Sequence, residues 1–283
     1  MCNGSIMDKL ISFSLPLMVS GILQLAFNAV DIIVVGRFSG SQALAAVGST
    51  TALINVFTNL FIGISLGANV LAARFYAAGK DREMSETVHT SITLALISGI
   101  MMAVIGVLLA KWALEIMGTP DDVIGQSALY MRIYFMGMPF FMLYNYGAAI
   151  LRAIGDTKRP LIFLIISGIA NAALNMTLVI LFHMGVAGVA IGTIISQLIS
   201  CVLVLTCLYR SEGSYQLRFS KLKINGAYME QIFQVGVPAG IQSTVINLSN
   251  ALLQSSVNSF GSIAMAGYTA ANNILGFLYM SVN

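Results

Sequence analysis

The sequence predicts an all-α membrane protein of about eight transmembrane helices, one six-helix bundle plus the first two helices of a parallel second bundle. Three observations predict it. Of the 283 residues, 58% are hydrophobic and 9% charged, whereas a water-facing globule carries roughly 25% charged residues. The charge-free runs have the length of bilayer crossings, about 20 apolar residues each. A pattern around Pro16 also returns around Pro238. Lipid is therefore the solvent for most of the surface. The net charge of +3 is too small to imply nucleic acid as a partner.

The charge-free runs delimit the helices in order. Ile11 to Gly36, broken only by Asp31, makes helix 1. It is too long for the apolar core of a cleaved signal peptide, so it is expected to be retained. Phe38 to Ala73 supplies a short loop and helix 2, Thr87 to Ala110 helix 3, and Ile133 to Leu151 helix 4. Pro160 to Tyr209 contains two spans, divided near His183-Met184-Gly185. Gln231 to Asn283 contains helices 7 and 8, divided near Phe260-Gly261-Ser262. The expected organisation is a bundle over 1–210, a cytoplasmic linker over 211–230, and the start of a second bundle over 231–283.

The loops set the orientation. Lys9, Arg74, Lys80, Arg82, Arg152, Lys158, Arg159, Arg210, Arg218, Lys221 and Lys223 fall on one side, 11 of the 14 basic residues. Arg37, Lys111 and Arg132 fall on the other. Basic residues concentrate in cytoplasmic loops, which places the N-terminus in the cytoplasm.

Phe13-Ser14-Leu15-Pro16-Leu17 aligns with Val235-Gly236-Val237-Pro238-Ala239, and at the same offset Asn28 meets Asn250. After one skipped residue, Gly40-Ser41-x-Ala43-x-Ala45 meets Gly261-Ser262-x-Ala264-x-Ala266. Six helices separate the copies, and an even number preserves orientation, so the repeat is parallel. A second bundle equal to the first would need roughly 150 residues more. The expectation is a chain whose C-terminal bundle is incomplete.

Asp31 is the only acid inside a span. A carboxylate in a lipid-embedded helix costs about 2.5–3.5 kcal/mol on insertion scales, so it usually faces a cavity and serves a function. Ser20, Gln24, Asn28 and Asp31 form one stripe of helix 1. The alternative is an Asp31 that reaches the outer headgroups beside Arg37. Asn171 and Asn175 share a face of helix 5, which suits either a site or an interhelical hydrogen bond. Asn55 and Asn59 suggest such bonding by default. Helix 7 has a polar stripe of Ser243, Asn247, Asn250 and Gln254 but no acid.

Gly63 with Gly67, Gly188 with Gly192, and Gly236 with Gly240 permit close helix approach. Pro16 and Pro238 are expected near helix starts or at kinks. Cys2, Cys201 and Cys207 lack metal-ligand spacing, and the latter two read as buried, inert thiols. His89 and His183 read as loop or interface histidines, and Phe141 and Tyr144 as packing aromatics. No phosphate-cradling glycine loop, H-E-x-x-H or G-x-S-x-G is present. No second acid, histidine cluster or nucleophile–base pair accompanies Asp31, so an enzyme is not expected.

Residues 151–160, Leu-Arg-Ala-Ile-Gly-Asp-Thr-Lys-Arg-Pro, resemble the helix 4–5 loop of the multidrug and toxic compound extrusion family. Val30-Asp31-Ile32-Ile33-Val34-Val35-Gly36-Arg37 resembles the end of that family's first helix, Gly67-Ala68-Asn69 its second, and Gly236-Val237-Pro238 the start of its seventh. The resemblance implies twelve helices in two bundles, and export of drugs or organic cations driven by H⁺ or Na⁺. It implies a multi-pass protein of the bacterial inner membrane, with the lipid bilayer and a small-molecule substrate as partners and no cofactor beyond the coupling ion. It also implies a cation site at Asp31, Asn171, Asn175 and Thr193, with Gln24 and Asn28 as a supporting stripe. Asn175 stands where the family's prokaryotic branch has a second Asp, and Ile246 where some relatives have a Glu. Hard cations want charged oxygens as well as neutral ones, so the departure favours H⁺, which a lone Asp can load and release. The rival expectations are a lipid-linked oligosaccharide flippase of the same superfamily and a non-functional fragment.

Overall fold

The charge-free runs become helices, several of which continue past the ends of their run, as α1 (Ile6–Phe38) and α3 (Asp81–Ile116) do. The computed structural model describes residues 6–282, the side chains at 6, 8–10 and 277–282 excepted. Cys2 and the side chain of Lys9 lie outside the described residues. The helices are α1 (Ile6–Phe38), α2 (Gly40–Ala77), α3 (Asp81–Ile116), α4 (Asp121–Met136), α5 (Met138–Ala153), α6 (Lys158–Met176), α7 (Gly185–Arg210), α8 (Gly226–Asn258) and α9 (Ser262–Val282). A π-turn at Thr177–Leu181 widens the end of α6. By length and composition α1, α2, α3, α6 with its π-turn, and α7 can each cross a bilayer.

Helix 4 differs most from expectation. It starts at Asp121 rather than Ile133 and is broken between α4 and α5 at Gly137. Pro139 sits in the first turn of α5, where its missing N–H costs little. α4 and α5, of 16 residues each, together stand where the sequence predicts the single helix 4. Pro16 and Pro238 lie inside α1 and α8 rather than at their starts, because both helices begin well before the charge-free run. The proline carbonyl at position 16 instead accepts from the Ser20 hydroxyl at 2.8 Å.

The outward faces are apolar. Leu108, Trp112 and Ile116, four apart on α3, are 71%, 59% and 63% exposed, a stripe that only lipid or another protein surface would cover. The core runs inside the bundle through Met84, Met131, Phe135, Met142, Tyr146 and Leu208.

The repeat has a conformational counterpart. α1 and α8 are both 33 residues long. Each ends just before a glycine with left-handed backbone, Gly40 at φ 89° and Gly261 at φ 88°. A side chain is strained there, which is why both copies of the loop keep glycine.

α8 packs along most of α2. The two glycine pairs noted in the sequence meet each other: a Cβ at Gly63 would overlap the Gly240 backbone, and one at Gly67 the carbonyl of Ile232. At the other end of α8, Asn258 Nδ2 and Ser255 Oγ both donate to the Met117 carbonyl, at 3.0 and 3.1 Å. Gln254 Nε2 holds Asn258 by donating to its Oδ1 at 2.9 Å.

The segment between α7 and α8 docks on the start of α3. Arg218 N–H donates to His89 Nε2 at 3.1 Å, while His89 Nδ1 contacts the Ser85 carbonyl at 2.6 Å, which sets a neutral ring protonated on Nδ1. Asn225 N–H donates to Thr90 Oγ1 at 3.2 Å, and its side-chain oxygen caps α8 by accepting from Ala227 N–H. His183 occupies the tight turn after α6 with φ 52°. Cys201 is a buried free thiol as expected, whereas Cys207 is only partly buried and its Sγ accepts from Arg159 Nη1 at 3.6 Å.

Replacing Gly240 by Val should wedge α2 from α8. Overpacking of this kind costs about 1–3 kcal/mol, so thermal melting of the purified protein should fall for Gly240→Val and stay near wild type for a Val at lipid-facing Leu108.

Candidate functional site

Six of the helices turn a polar stripe toward one cavity of about 440 Å³ inside the first bundle. α1 contributes Gln24, Phe27, Asn28 and Asp31, spaced as neighbours on one helical face. α2 contributes Thr51, Asn55, Thr58, Asn59 and Ile62, and α4 contributes Tyr130 and Tyr134. Phe141, Tyr144 and Asn145 come from α5, Ser167 and Asn171 from α6, and Thr193, Ser196, Gln197 and Ser200 from α7. None of the lining residues comes from α3, α8 or α9. The centre of the polar network is therefore within one bundle rather than between two.

Asp31 faces inward, away from the headgroup position near Arg37. Its Oδ1 accepts a hydrogen bond from Asn175 Nδ2, which also donates to Asn171 Oδ1 at 3.3 Å. Asn175 thus ties α6 to α1, the interhelical bond that the spacing allowed, while Asn171 bonds within its own helix and lines the cavity. Asn175 is fully buried, and its own Oδ1 has no hydrogen-bond partner. That oxygen fills the space above Gly192 of α7, where an added Cβ would overlap it. Gly192 thus makes room for the amide rather than for a neighbouring backbone. Its companion Gly188 packs beneath Leu178 and Met184. Thr193 lines the cavity with its hydroxyl donating to the Val189 carbonyl at 2.9 Å, so its lone pairs remain available.

Gln24 and Asn28 line the cavity beside Asp31, but Ser20 is not among the lining residues and bonds its own helix instead. Asn55 and Asn59 do not bridge helices. Asn59 donates to the Asn55 carbonyl at 2.7 Å and both face the cavity, so bonding between helices is the wrong reading there. Phe141 and Tyr144, expected to pack, do line the cavity, and the Tyr144 hydroxyl donates to the Pro160 carbonyl at 3.3 Å. Sequence reasoning missed Thr51, Tyr130, Tyr134, Ser196, Gln197 and Ser200. Their signal was present: on each helix they recur at spacings of three, four or seven, as Gln24, Asn28 and Asp31 do.

Asp31 is the only carboxylate among the lining residues, and no Lys or Arg accompanies it. A charge so placed has only neutral dipoles for company, namely amides, hydroxyls and phenols. Such a site attracts a proton or another cation, because attraction in a low-dielectric cavity is several-fold stronger than in water.

These features define a polytopic helical membrane protein with an ionisable cavity. The MatE family profile matches residues 16–177, and the chain belongs to that family. It is 34% identical over 277 residues to "Probable multidrug resistance protein YoeA" of Bacillus subtilis, covering 95% of this chain and 59% of that protein. It is 23% identical over 276 residues to "Multidrug export protein MepA" of Staphylococcus saprophyticus, covering 97% and 61%. The chain thus spans about three-fifths of the length of these relatives. Two solved structures share the fold. That of the "MATE multidrug transporter DinF-BH" superposes with a TM-score of 0.90 at 23% identity, over 98% of this chain and 62% of that one. An outward-facing "multidrug resistance MATE family transporter of the MOP superfamily" superposes at 0.84 and 21%, over 98% and 63%. The family expected from residues 151–160 is the family found.

Gly192→Ala should cost about 1–3 kcal/mol by driving a methyl group into the Asn175 amide. Adding Asn175→Ala should recover most of that loss, because the methyl then has room. A double-mutant cycle by denaturation of the solubilised protein measures the coupling.

Proposed function

We propose that this chain acts in the export of drug-like organic cations in exchange for protons, with Asp31 as the coupling group. The observation that carries the reading is the uncompensated carboxylate in a polar and aromatic cavity. The names of the relatives, multidrug resistance and multidrug export proteins, support the substrate class. In this reading the described residues up to 210 form the first bundle, the linker is 211–225 rather than 211–230 because α8 already begins at Gly226, and α8 opens a second bundle. The basic residues gathered on one side support a bacterial plasma-membrane protein with its N-terminus on the cytoplasmic face.

Asp31, Asn171, Asn175 and Thr193 form the coupling site, supported by Gln24 and Asn28. The amide nitrogen of Asn175, not its oxygen, faces the carboxylate, and the amide oxygen lies against Gly192. A Na⁺ ion needs several oxygens turned toward it. A proton needs one. Protonation removes the only formal charge on the cavity wall and changes the relative stability of its hydrated and collapsed forms. A ligand shifts such an equilibrium only by its differential affinity for the two states, and here the proton binds the collapsed form better. Alternating access follows, the cavity releasing a cationic drug as it takes up a proton.

Asp31→Asn should reduce proton-gradient-driven efflux of a fluorescent cation from cells or vesicles to the level of empty vesicles. Wild-type dependence on the pH gradient in that variant would remove Asp31 from coupling. Asn175→Asp supplies the second carboxylate and should confer a Na⁺ dependence that the wild type lacks, read as Na⁺-stimulated efflux.

A further inference from the structure

A second cavity, of about 550 Å³, lies outside the Asp31 network where the α7–α8 linker docks on α3. Its walls carry Arg82 from the first turn of α3, and Lys221 and Lys223 from the linker. One carboxylate, Glu86, opposes these three cations. Glu86 is already engaged on both oxygens: Oε1 accepts from Arg82 Nε at 3.1 Å, and Oε2 from Asn225 Nδ2 at 2.7 Å. Lys221 and Lys223 are exposed and have no ion pair among the described residues. The cleft is therefore a net cationic pocket whose lysines have no protein partner among the described residues.

Its neutral lining suits an anion with several oxygens. The hydroxyls of Ser85 and Ser220 border it. Thr90 Oγ1 accepts from the backbone of Asn225 and keeps its own proton to donate. His89 has both ring nitrogens engaged, Nδ1 on the Ser85 carbonyl of its own helix and Nε2 on the Arg218 N–H of the linker, so it forms the floor rather than a binding group.

The position of the cleft selects among anions. Thr90 lies six residues before Leu96, where the exposed apolar stripe of α3 begins, a rise of about 9 Å. The cleft is thus at the headgroup level of the bilayer. Beside it, Phe219 is 54% exposed and stacks on Tyr209, also exposed, with ring centroids 5.8 Å apart. Aromatic side chains of this kind mark the membrane–water boundary. The short turn Phe219–Lys221 carries an exposed aromatic ring and a cleft-lining ammonium group within three residues.

We infer that this cleft binds the phosphodiester headgroup of an anionic phospholipid, with its acyl chains lying along Phe219 and the apolar face of α3. The inference does not depend on drug export or on proton coupling, and it holds for whichever leaflet the cleft faces. A headgroup bridging Arg82 to Lys221 and Lys223 ties the linker to α3, adding to the His89 and Asn225 bonds. Anionic lipid thereby stiffens the connection between α7 and α8. Basic pockets between transmembrane elements and clusters of Lys and Arg beside a span are recognised by anionic headgroups through this electrostatics.

The test uses the detergent-purified chain, thermal melting and native mass spectrometry, with phosphatidylglycerol, phosphatidylcholine or inorganic phosphate added. Phosphatidylglycerol should raise the melting temperature of the wild type and remain bound, whereas phosphatidylcholine should do neither. Each basic residue near an anionic lipid is worth about 1 kcal/mol, so Lys221→Gln with Lys223→Gln should weaken apparent affinity on the order of 30-fold. Lys111→Gln, which removes one positive charge away from the cleft, should leave binding unchanged. Undiminished phosphatidylglycerol binding in the double variant overturns the proposal, as does an equal loss in Lys111→Gln. Stabilisation of the wild type by inorganic phosphate equal to that by phosphatidylglycerol assigns the cleft to a free anion and overturns the lipid.

Discussion

A carboxylate inside a lipid-embedded bundle has to be solvated by something, and in this protein no cation does it. Burial of an unpaired charge in low dielectric is costly enough that proteins supply dipoles or neutralise the group. Asp31 receives the Asn175 amide directly and faces a wall of hydroxyls, amides and phenols drawn from six helices. That requirement accounts for the polar stripes on α1, α2, α4, α5, α6 and α7, each of which would otherwise be a needless expense in lipid. It also accounts for Gly192, whose missing side chain leaves space for the amide that makes the contact. The arrangement resists neither protonation nor cation approach. Its one carboxylate is held by a single amide and otherwise faces neutral groups.

The same chain solves a different problem at the α2–α8 contact. Two helices in lipid gain little from burying apolar surface against each other, since lipid tails are equally apolar, and rely on close backbone packing instead. The Gly63–Gly67 and Gly236–Gly240 edges allow that approach, and Asn258, Ser255 and Gln254 fasten the far end of α8 to the Met117 carbonyl. α8 is thereby held to the first bundle at both ends, by van der Waals contact at one and by buried hydrogen bonds at the other. α1 and α9 meet more sparingly, with Leu25 beside Gly276. A contact held by glycine backbones can slide or pivot with less side-chain rearrangement than an interdigitated one.

The linker between α7 and α8 is less passive than its composition suggests. Its bonds to His89, Thr90 and Glu86 all fall on the first three turns of α3. Asn225 does three jobs, bonding Thr90 through its backbone, Glu86 through its side-chain nitrogen, and the first turn of α8 through its side-chain oxygen. The orientation of α8 as it enters the membrane is thus tied to the rim of the first bundle. The basic cleft sits at that joint, so whatever binds there acts on the connection between α7 and α8 rather than on the Asp31 cavity.

Much of this was legible in the order of residues alone. Long charge-free runs have few solutions in a bilayer, because every backbone polar group must be paired within a helix. The long helices, the turns at His183 and Gly261, and the repeat between α1 and α8 follow from that constraint and from simple spacing. Asp31 stood out because a charge in such a run is costly. What one dimension could not reveal was which stripes converge. Asn175 and Asp31 are 144 residues apart and meet only because α1 and α6 pack side by side. Phe141 and Tyr144 read as packing groups, and Asn59 as a tie between helices, because an aromatic or an amide on a helix looks the same whether its face meets a neighbour or a cavity. Helix starts were misplaced for a related reason: charges end a hydrophobic run but not a helix, which continues into water on its own hydrogen bonds. Local composition determines which segments enter the membrane; only the packing of those segments decides which polar faces share an interior.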